Sequence, residues 1–581
     1  MVVLPLSEVI ARTVLGRGVS GSQSLTQHLT LLIGSLGGAI AARENRLLAI
    51  SPLPSFFGPV WKVRVRVVSC AFATAVTAFF VVAGVQFVLT ERESGNTFAL
   101  GIPVWVAQCL MPLGFALTAW RLVRGAAPGR AGQLVTLAGA AGLMALALWL
   151  PIEPARLMWP ALGLLLAATV LGVPVYVTLG GAAMILFWSD GLPIASLPLD
   201  HYRLVTNPTL PAIPLFTVAG YFLAEGGASR RLVRVFQALF GWVRGGPAMV
   251  TCLVCAFFTT FTGASGVTIL ALGGLLLPVL LSARYKERDA LGLITSAGAL
   301  GMLFPPCLPL ILYAIISQKV TVQEIFLGGI LPGFVLVLAN VILGIVQAPP
   351  DESKRHPFHP GEAVRSVWEA KWELLLPVVA LGGLFGGFAT AVETAALTAL
   401  YAFFVETFVY RDLGLRKDFF RALTECALVV GGVILILGVA LGFTNYLVDA
   451  QVADRTLEWA RGAIHSPALF LLALNILLLV VGCIMDVYSA LIVVVPLIAP
   501  LGEAYGIDPI HLGIIFLANL ELGYLTPPVG MNLFLASYRF GKPMSEVYRA
   551  VGPMILVRLV AVLIITYVPA LTTMLPRLVG K

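Results

Sequence analysis

The side chains with the most chemical potential sit where the chain is least regular. Thr262, Ser265 and Thr268 fall in and just beyond Phe261-Thr-Gly-Ala-Ser-Gly266, while Asp486 and Ser489 follow the glycine of Gly482-Cys-Ile-Met-Asp486. Asn519, Glu521, Thr526 and Asn532 surround Gly523-Tyr-Leu-Thr-Pro-Pro528. Hydroxyls, amides and two carboxylates amid apolar sequence form a set of hard oxygen ligands, the type that suits a small cation such as Na⁺ when backbone carbonyls join them. A proton relay through Asp486 and Glu521 is the competing use. Ionisable groups inside a membrane span are costly and therefore functional by default, although Glu521 has a plainer reading as a helix-packing partner. Glu393, in Thr390-Ala-Val-Glu-Thr394, is equally open.

These residues are repeated as well as clustered. Gly301-Met-Leu-Phe-Pro-Pro306 recurs as Gly523-Tyr-Leu-Thr-Pro-Pro528, which sets Pro305 and Pro527 222 residues apart. Each copy follows a polar, Gly-containing break and an apolar run, the first ending at Pro278 and the second at Pro496. Paired prolines remove backbone donors and disfavour helical geometry in the residue before them, so both segments are expected to break in mid-span. Exposed backbone in hydrocarbon is tolerated only where it lines a cavity or holds a ligand. Matched breaks in two halves are the sequence mark of a transporter site; a pair of packing kinks is the bland alternative.

The elements around them must be membrane helices. The 581 residues are 59% hydrophobic and 11% charged, with a mean hydropathy of +0.96, too little polar surface for a water-soluble chain of this size. Tracts such as 247–282 and 290–317 exceed the roughly 20 residues a spanning helix needs and lack the alternation of a barrel strand. The expected fold class is all-α, with early spans near residues 25–42, 63–90, 101–123 and 131–150. Segment 2–10 is too short to cross.

The net charge of +8 comes from short basic clusters between apolar tracts, a topological signal and not a nucleic-acid one. Arg43, Arg46, Lys62, Arg64 and Arg66 form one cytoplasmic cluster and Arg121, Arg124 and Arg130 another. The Arg231–Trp242 pattern is amphipathic and reads as an interfacial helix or a cytoplasmic loop helix. Cys252-x-x-Cys255 reads as one turn of a span, and His356-Pro-Phe-His359 as part of a polar connector over 351–371. No phosphate-binding loop and no H-E-x-x-H motif occurs, and Ser265 lacks the context of a nucleophile elbow, so enzymatic chemistry finds little support.

With these motifs in view, the chain resembles the tripartite ATP-independent periplasmic (TRAP) transporters, in a form whose small and large membrane subunits are fused. Leu210-Pro-Ala-Ile-Pro-Leu-Phe-Thr-Val-Ala-Gly220, Gly298-Ala-Leu-Gly-Met-Leu-Phe-Pro-Pro306, Gly482 to Asp486 and Asn519 to Asn532 carry the large-subunit likeness; Leu36-Gly-Gly-Ala-Ile-Ala-Ala-Arg43 carries the weaker small-subunit one. The resemblance implies a small-subunit scaffold module over 1–125, a connecting helix or linker over 126–158, and a transport module over 159–581. It implies an elevator-type transporter with inverted repeats, two re-entrant hairpins and two broken helices in the bacterial inner membrane, surrounded by membrane lipids. It further implies Na⁺-coupled import of a small organic anion, usually a carboxylate, handed over by a soluble periplasmic substrate-binding protein.

Carried over by motif, about two Na⁺ sites would draw on Gly263, Ser265, Gly298, Gly301 and Pro305, and on Gly482, Asp486, Gly523, Thr526 and Pro527. Substrate would lie between the hairpin tips, against Ser265, Thr268, Asp486, Ser489 and Asn532. The chain departs from common family usage at Cys307 and in Thr390-Ala-Val-Glu393, and its first small-subunit helix looks abbreviated. The alternatives are an anion symporter or exchanger that needs no binding protein, and a membrane-embedded enzyme.

Overall fold

The computed structural model describes residues 1–49, 58–149, 153–349, 358–387, 389–452, 455, 458, 462, 464–527 and 530–579. Helices dominate, and the pairings of extended backbone among the described residues are two isolated bridges. Eleven helices among the described residues are long and apolar enough to cross a membrane, which makes the chain a polytopic all-α membrane protein. The helix Val3–Leu15 is not one of them: at 1.5 Å per residue it reaches only about 20 Å. The early spans appear as Ser22–Arg43, Pro59–Ser94, Val104–Ala126 and Arg130–Trp149.

The chain divides into two compact units. One comprises Val3–Pro214 with Thr424–Thr456, and the other Leu215–Leu423 with Leu457–Lys581. In the first, the glycines of Leu36-Gly-Gly38 have a structural purpose. A Cβ on Gly431 would lie 2.2 Å from the Gly37 carbonyl carbon, so helices Ser22–Arg43 and Asp418–Asp449 touch backbone to backbone, the close approach that small residues permit in membranes. Some buried polar groups here pair between distant segments: Thr77 bonds the Tyr176 hydroxyl at 2.8 Å, and His28 Nε2 lies 2.9 Å from the Tyr202 hydroxyl.

The second unit carries both repeats. Two helical hairpins, Gly246–Thr262 with Ser265–Ser282 and Pro467–Ile484 with Val487–Ala504, are each followed by an interrupted helix. The interrupted helices are Glu287–Ala297 with Leu308–Ser317, and Pro509–Gly523 with Met531–Phe540. Pro278 and Pro496 do not end their runs: both lie inside helices that continue past them. A helix tolerates an interior proline when neighbouring segments re-satisfy the carbonyl it frees.

The amphipathic helix Ala228–Phe240 precedes the first hairpin. It buries Leu232, Val233 and Val235 and is pinned by Arg231, whose Nη2 lies 2.5 Å from Glu373 and 3.1 Å from Glu406. Arg231 also pairs with Asp412 and stands 3.7 Å from the Tyr410 ring centroid.

Candidate functional site

The first hairpin reverses on Gly263. Its φ of +66° ends the helix while its N–H still donates to Thr259 O at 2.8 Å, and Ala264 is extended before the second helix starts at Ser265. A Cβ at Gly263 would lie 2.8 Å from Leu308 Cβ, so left-handed geometry and close approach both demand glycine here. The Gly263 carbonyl accepts from the Tyr488 hydroxyl at 2.7 Å, which joins this tip to the second hairpin. Ser265, fully buried, donates to Asn532 Oδ1 at 2.7 Å, and Asn532 Nδ2 donates to Thr295 O at 3.3 Å. Thr259 gives its one hydroxyl proton to Gly298 O at 2.7 Å, so Thr268 is the donor in the 2.7 Å Thr259–Thr268 contact.

The second hairpin reverses without a glycine. Met485 and Asp486 are both extended, and Asp486 caps the helix Val487–Ala504. Its Oδ1 accepts from the N–H groups of Tyr488 at 3.0 Å and Ser489 at 3.1 Å, and its Oδ2 accepts from the Ser489 hydroxyl. A carboxylate at the positive end of a helix is stabilised by both the hydrogen bonds and the dipole. The next residue, Val487, donates its N–H to the Tyr524 hydroxyl, and Gly530 donates to Cys483 O at 3.1 Å. Gly482 and Gly523 meet at this point: a Cβ on Gly523 would lie 2.6 Å from Gly482 Cα.

Both interrupted helices break at their Pro-Pro motifs. Residues 298–307 separate Ala297 from Leu308, and 524–530 separate Gly523 from Met531. Lacking N–H groups, Pro305 and Pro306 leave the Gly301 and Met302 carbonyls without helical donors. Gly301 O instead takes the Phe304 N–H at 3.1 Å, and the Thr260 hydroxyl, whose shorter bond goes to Ala256 O at 2.8 Å, stands 3.3 Å away. A Cβ on Gly301 would lie 2.3 Å from Ala256 O, so this break sits directly on the first hairpin. In the second break, Thr526 N–H bonds Gly523 O at 2.9 Å, and the Thr526 hydroxyl turns back to Leu522 O at 3.0 Å. Pro527 is described; Pro528 and His356 lie outside the described residues.

The structure thus brings Gly263, Ser265, Thr268, Gly298, Gly301, Gly482, Asp486, Ser489, Gly523 and Asn532 onto the two hairpin tips and the two breaks beside them. Several partners escape sequence reasoning. Tyr524 lies inside a quoted motif and Tyr488 two residues past another, and both cross-link the elements, yet an aromatic in an apolar run gives no sign of this. Arg558 Nη2 lies 2.6 Å from Glu521 Oε2, both side chains no more than 1% exposed, and Arg558 Nη1 reaches Ser296 O at 3.3 Å. An arginine in the middle of the span Met544–Tyr567, well past Arg549 near its start, was the available signal. Asn519 donates to Asn475 Oδ1 at 2.5 Å, so Asn519 and Glu521 both have packing partners. Glu393 forms a capping box with Thr390, its carboxylate 2.7 Å from the Thr390 N–H.

A family model for the DctM component of the tripartite ATP-independent periplasmic transporters matches residues 162–571, and one for the DctQ component matches residues 1–132. The chain is 34% identical over 437 residues to the C4-dicarboxylate TRAP transporter large permease protein DctM of Vibrio cholerae, covering 71% of this chain and 96% of that protein. It is 32% identical over 497 residues to the isethionate TRAP transporter permease protein DctMQ of Oleidesulfovibrio alaskensis, covering 81% and 75%. The sialic acid TRAP transporter large permease protein SiaM of Vibrio cholerae is 30% identical over 426 residues, covering 72% and 97%. With both components in one polypeptide, the chain belongs to the tripartite ATP-independent periplasmic transporter family as a fused permease, a multi-pass inner-membrane transport protein and not an enzyme.

Proposed function

We propose that this permease imports a small organic anion by Na⁺ symport, receiving it from a soluble periplasmic substrate-binding protein. The observation that carries the reading is the single buried network tying four backbone interruptions together. Tyr488 bonds Gly263 across the hairpin tips, Ser265 and Asn532 link the first tip to both broken helices, and Val487 with Gly530 binds the second tip to the second break. Such a network satisfies interrupted backbone in hydrocarbon while leaving carbonyls and helix N-termini gathered in one place.

The donor set supports Na⁺ in particular. It consists of carbonyl and hydroxyl oxygens at Gly263, Ser265, Thr268, Gly298 and Gly301, with Asp486, Ser489, Gly523 and Thr526 in the second half, and it offers no thiolate or imidazole. Hard oxygen ligands of low total charge suit an alkali cation. The helix start at Ser265 favours an anion beside the first tip, whereas the start at Val487 is already capped by Asp486. Relatives named for C4-dicarboxylates, isethionate, sialic acid and ectoine all handle solutes with an acidic oxygen group, which supports an organic anion, most simply a carboxylate. The hairpins and broken helices would move together as the elevator's carrier.

Uptake into proteoliposomes tests the reading. With the periplasmic partner supplied outside, an inward Na⁺ gradient should drive accumulation, and omitting the partner should abolish it. Equal uptake when choline replaces Na⁺ at fixed pH would overturn the coupling.

A further inference from the structure

At the base of the first hairpin, away from its tip, lies a surface-open cavity of about 670 Å³. Four segments build its wall: the end of helix Ala228–Phe240 with the turn after it, the two ends of the hairpin, residues 348–349, and the start of helix Pro360–Glu369. Arg234, Arg244 and Arg284 all line it, from three places in the chain, with Glu362 as the carboxylate of the lining and Glu369 behind it, 2.9 Å from Arg234. Trp242 and Phe358 make an aromatic side, their ring centroids 5.6 Å apart.

Arg284 occupies this wall under a backbone constraint. The helix Ser265–Ser282 closes with Arg284 N–H on Leu281 O at 2.9 Å and Tyr285 N–H on Leu280 O at 3.1 Å, a Schellman ending that puts Arg284 at φ +62°. Glycine is the ordinary residue there because an L side chain is strained in left-handed geometry. Holding an arginine at that position costs backbone stability and sets a third guanidinium on the cavity wall. The turn itself is fixed: Tyr285 is buried and donates to Gly344 O at 3.0 Å, and a Cβ on Gly245 would lie 2.5 Å from Ile345 Cγ1.

The basic residues Arg230, Arg231, Arg234, Arg244, Arg284, Lys286 and Arg288 all lie in the connections at this end of the hairpin, which the positive-inside bias places at the cytoplasmic face. A basic, aromatic-sided hollow between helix ends at that depth has the chemistry of a phospholipid headgroup site. Arginine forks match phosphate oxygens bidentately, and aromatic rings such as Trp242 prefer the headgroup level. We propose that this cavity binds the phosphate of an anionic phospholipid from the cytoplasmic leaflet. The proposal is independent of the coupling ion and of the transported anion.

The test uses the full chain, delipidated in detergent and titrated with phosphatidylglycerol, phosphatidylcholine or inorganic phosphate. Native mass spectrometry follows retained lipid and thermal unfolding follows stability. Phosphatidylglycerol should be retained and raise the unfolding temperature; the other two should not. Each guanidinium lost should lower retention roughly fivefold, so Arg244→Gln with Arg284→Gly should lower it about twenty- to thirtyfold. Arg284→Gly alone should unfold no earlier than the parent in the absence of lipid, since glycine suits its φ, which separates lost binding from lost folding. Unchanged phosphatidylglycerol retention in the double variant would overturn the site. An equal temperature rise from phosphatidylcholine would overturn its charge selectivity, and one from inorganic phosphate in lipid-free detergent would overturn the lipid assignment.

Discussion

At residues 262–265 the chain reverses on a left-handed glycine, and at residues 484–487 it reverses on an aspartate N-cap. Thr262 and Ile484 end the first helices of the hairpins and Ser265 and Val487 begin the second ones, each pair 222 residues apart, the spacing of the two Pro-Pro motifs. At that spacing Asp486 corresponds to Ala264, and Glu521 to Ala299. The backbone plan is therefore shared and the charge is not: the first repeat supplies neutral carbonyls and hydroxyls, and the second supplies the ionisable groups. In the proposed site the first half would give shape and the second half charge.

That asymmetry can be broken by substitution. The largest effect is expected from Asp486→Ala, which removes the one carboxylate at a tip. Hydrogen bonds to charged groups are worth up to about 3 kcal/mol, so Na⁺-driven uptake should fall by about 100-fold. A smaller loss there than in Ser265→Ala would reverse the assignment of roles. In the same repeat, Glu521→Leu strands Arg558 as a buried charge and should cost about 3–5 kcal/mol in chemical unfolding, most of it recovered by Glu521→Leu with Arg558→Met. No recovery in the double variant would give Glu521 a role beyond the ion pair.

The first repeat should respond through geometry. Gly263→Ala forces an L side chain to positive φ and should destabilise by about 1–2 kcal/mol, whereas Met485→Ala at the second tip has no left-handed residue to strain. Smallest of all, Ser265→Ala leaves Asn532 Oδ1 without its donor and should cost about 1 kcal/mol, seen as a raised KM for uptake with Na⁺ dependence intact. Loss of that dependence would move a coupling ligand into the first tip.

The breaks were legible in sequence because proline and glycine act locally. Pro305 lacks its N–H wherever the chain folds, and the run of Gly263 and Gly266 marks a reversal on its own. Composition likewise sufficed for the all-α membrane fold. Partners were not legible, because Tyr488 finds Gly263 225 residues away and Arg558 finds Glu521 37 residues away, distances over which no periodicity carries information. Glu393 was readable but left open: Thr390-x-x-Glu393 is a capping box, and the structure uses it as one. The division of the chain into compact units was also hidden, since Thr424–Thr456 groups with Val3–Pro214 across two hundred intervening residues.

In the proposed function the two hairpin tips and the breaks beside them hold Na⁺. This is tested most directly by the unfolding temperature of the purified permease in NaCl and in choline chloride, at equal ionic strength and pH. A bound ion stabilises the folded state by mass action, so the temperature should rise saturably with Na⁺, and the rise should disappear in Asp486→Ala. Identical curves in the two salts, or an undiminished rise in Asp486→Ala, would contradict it.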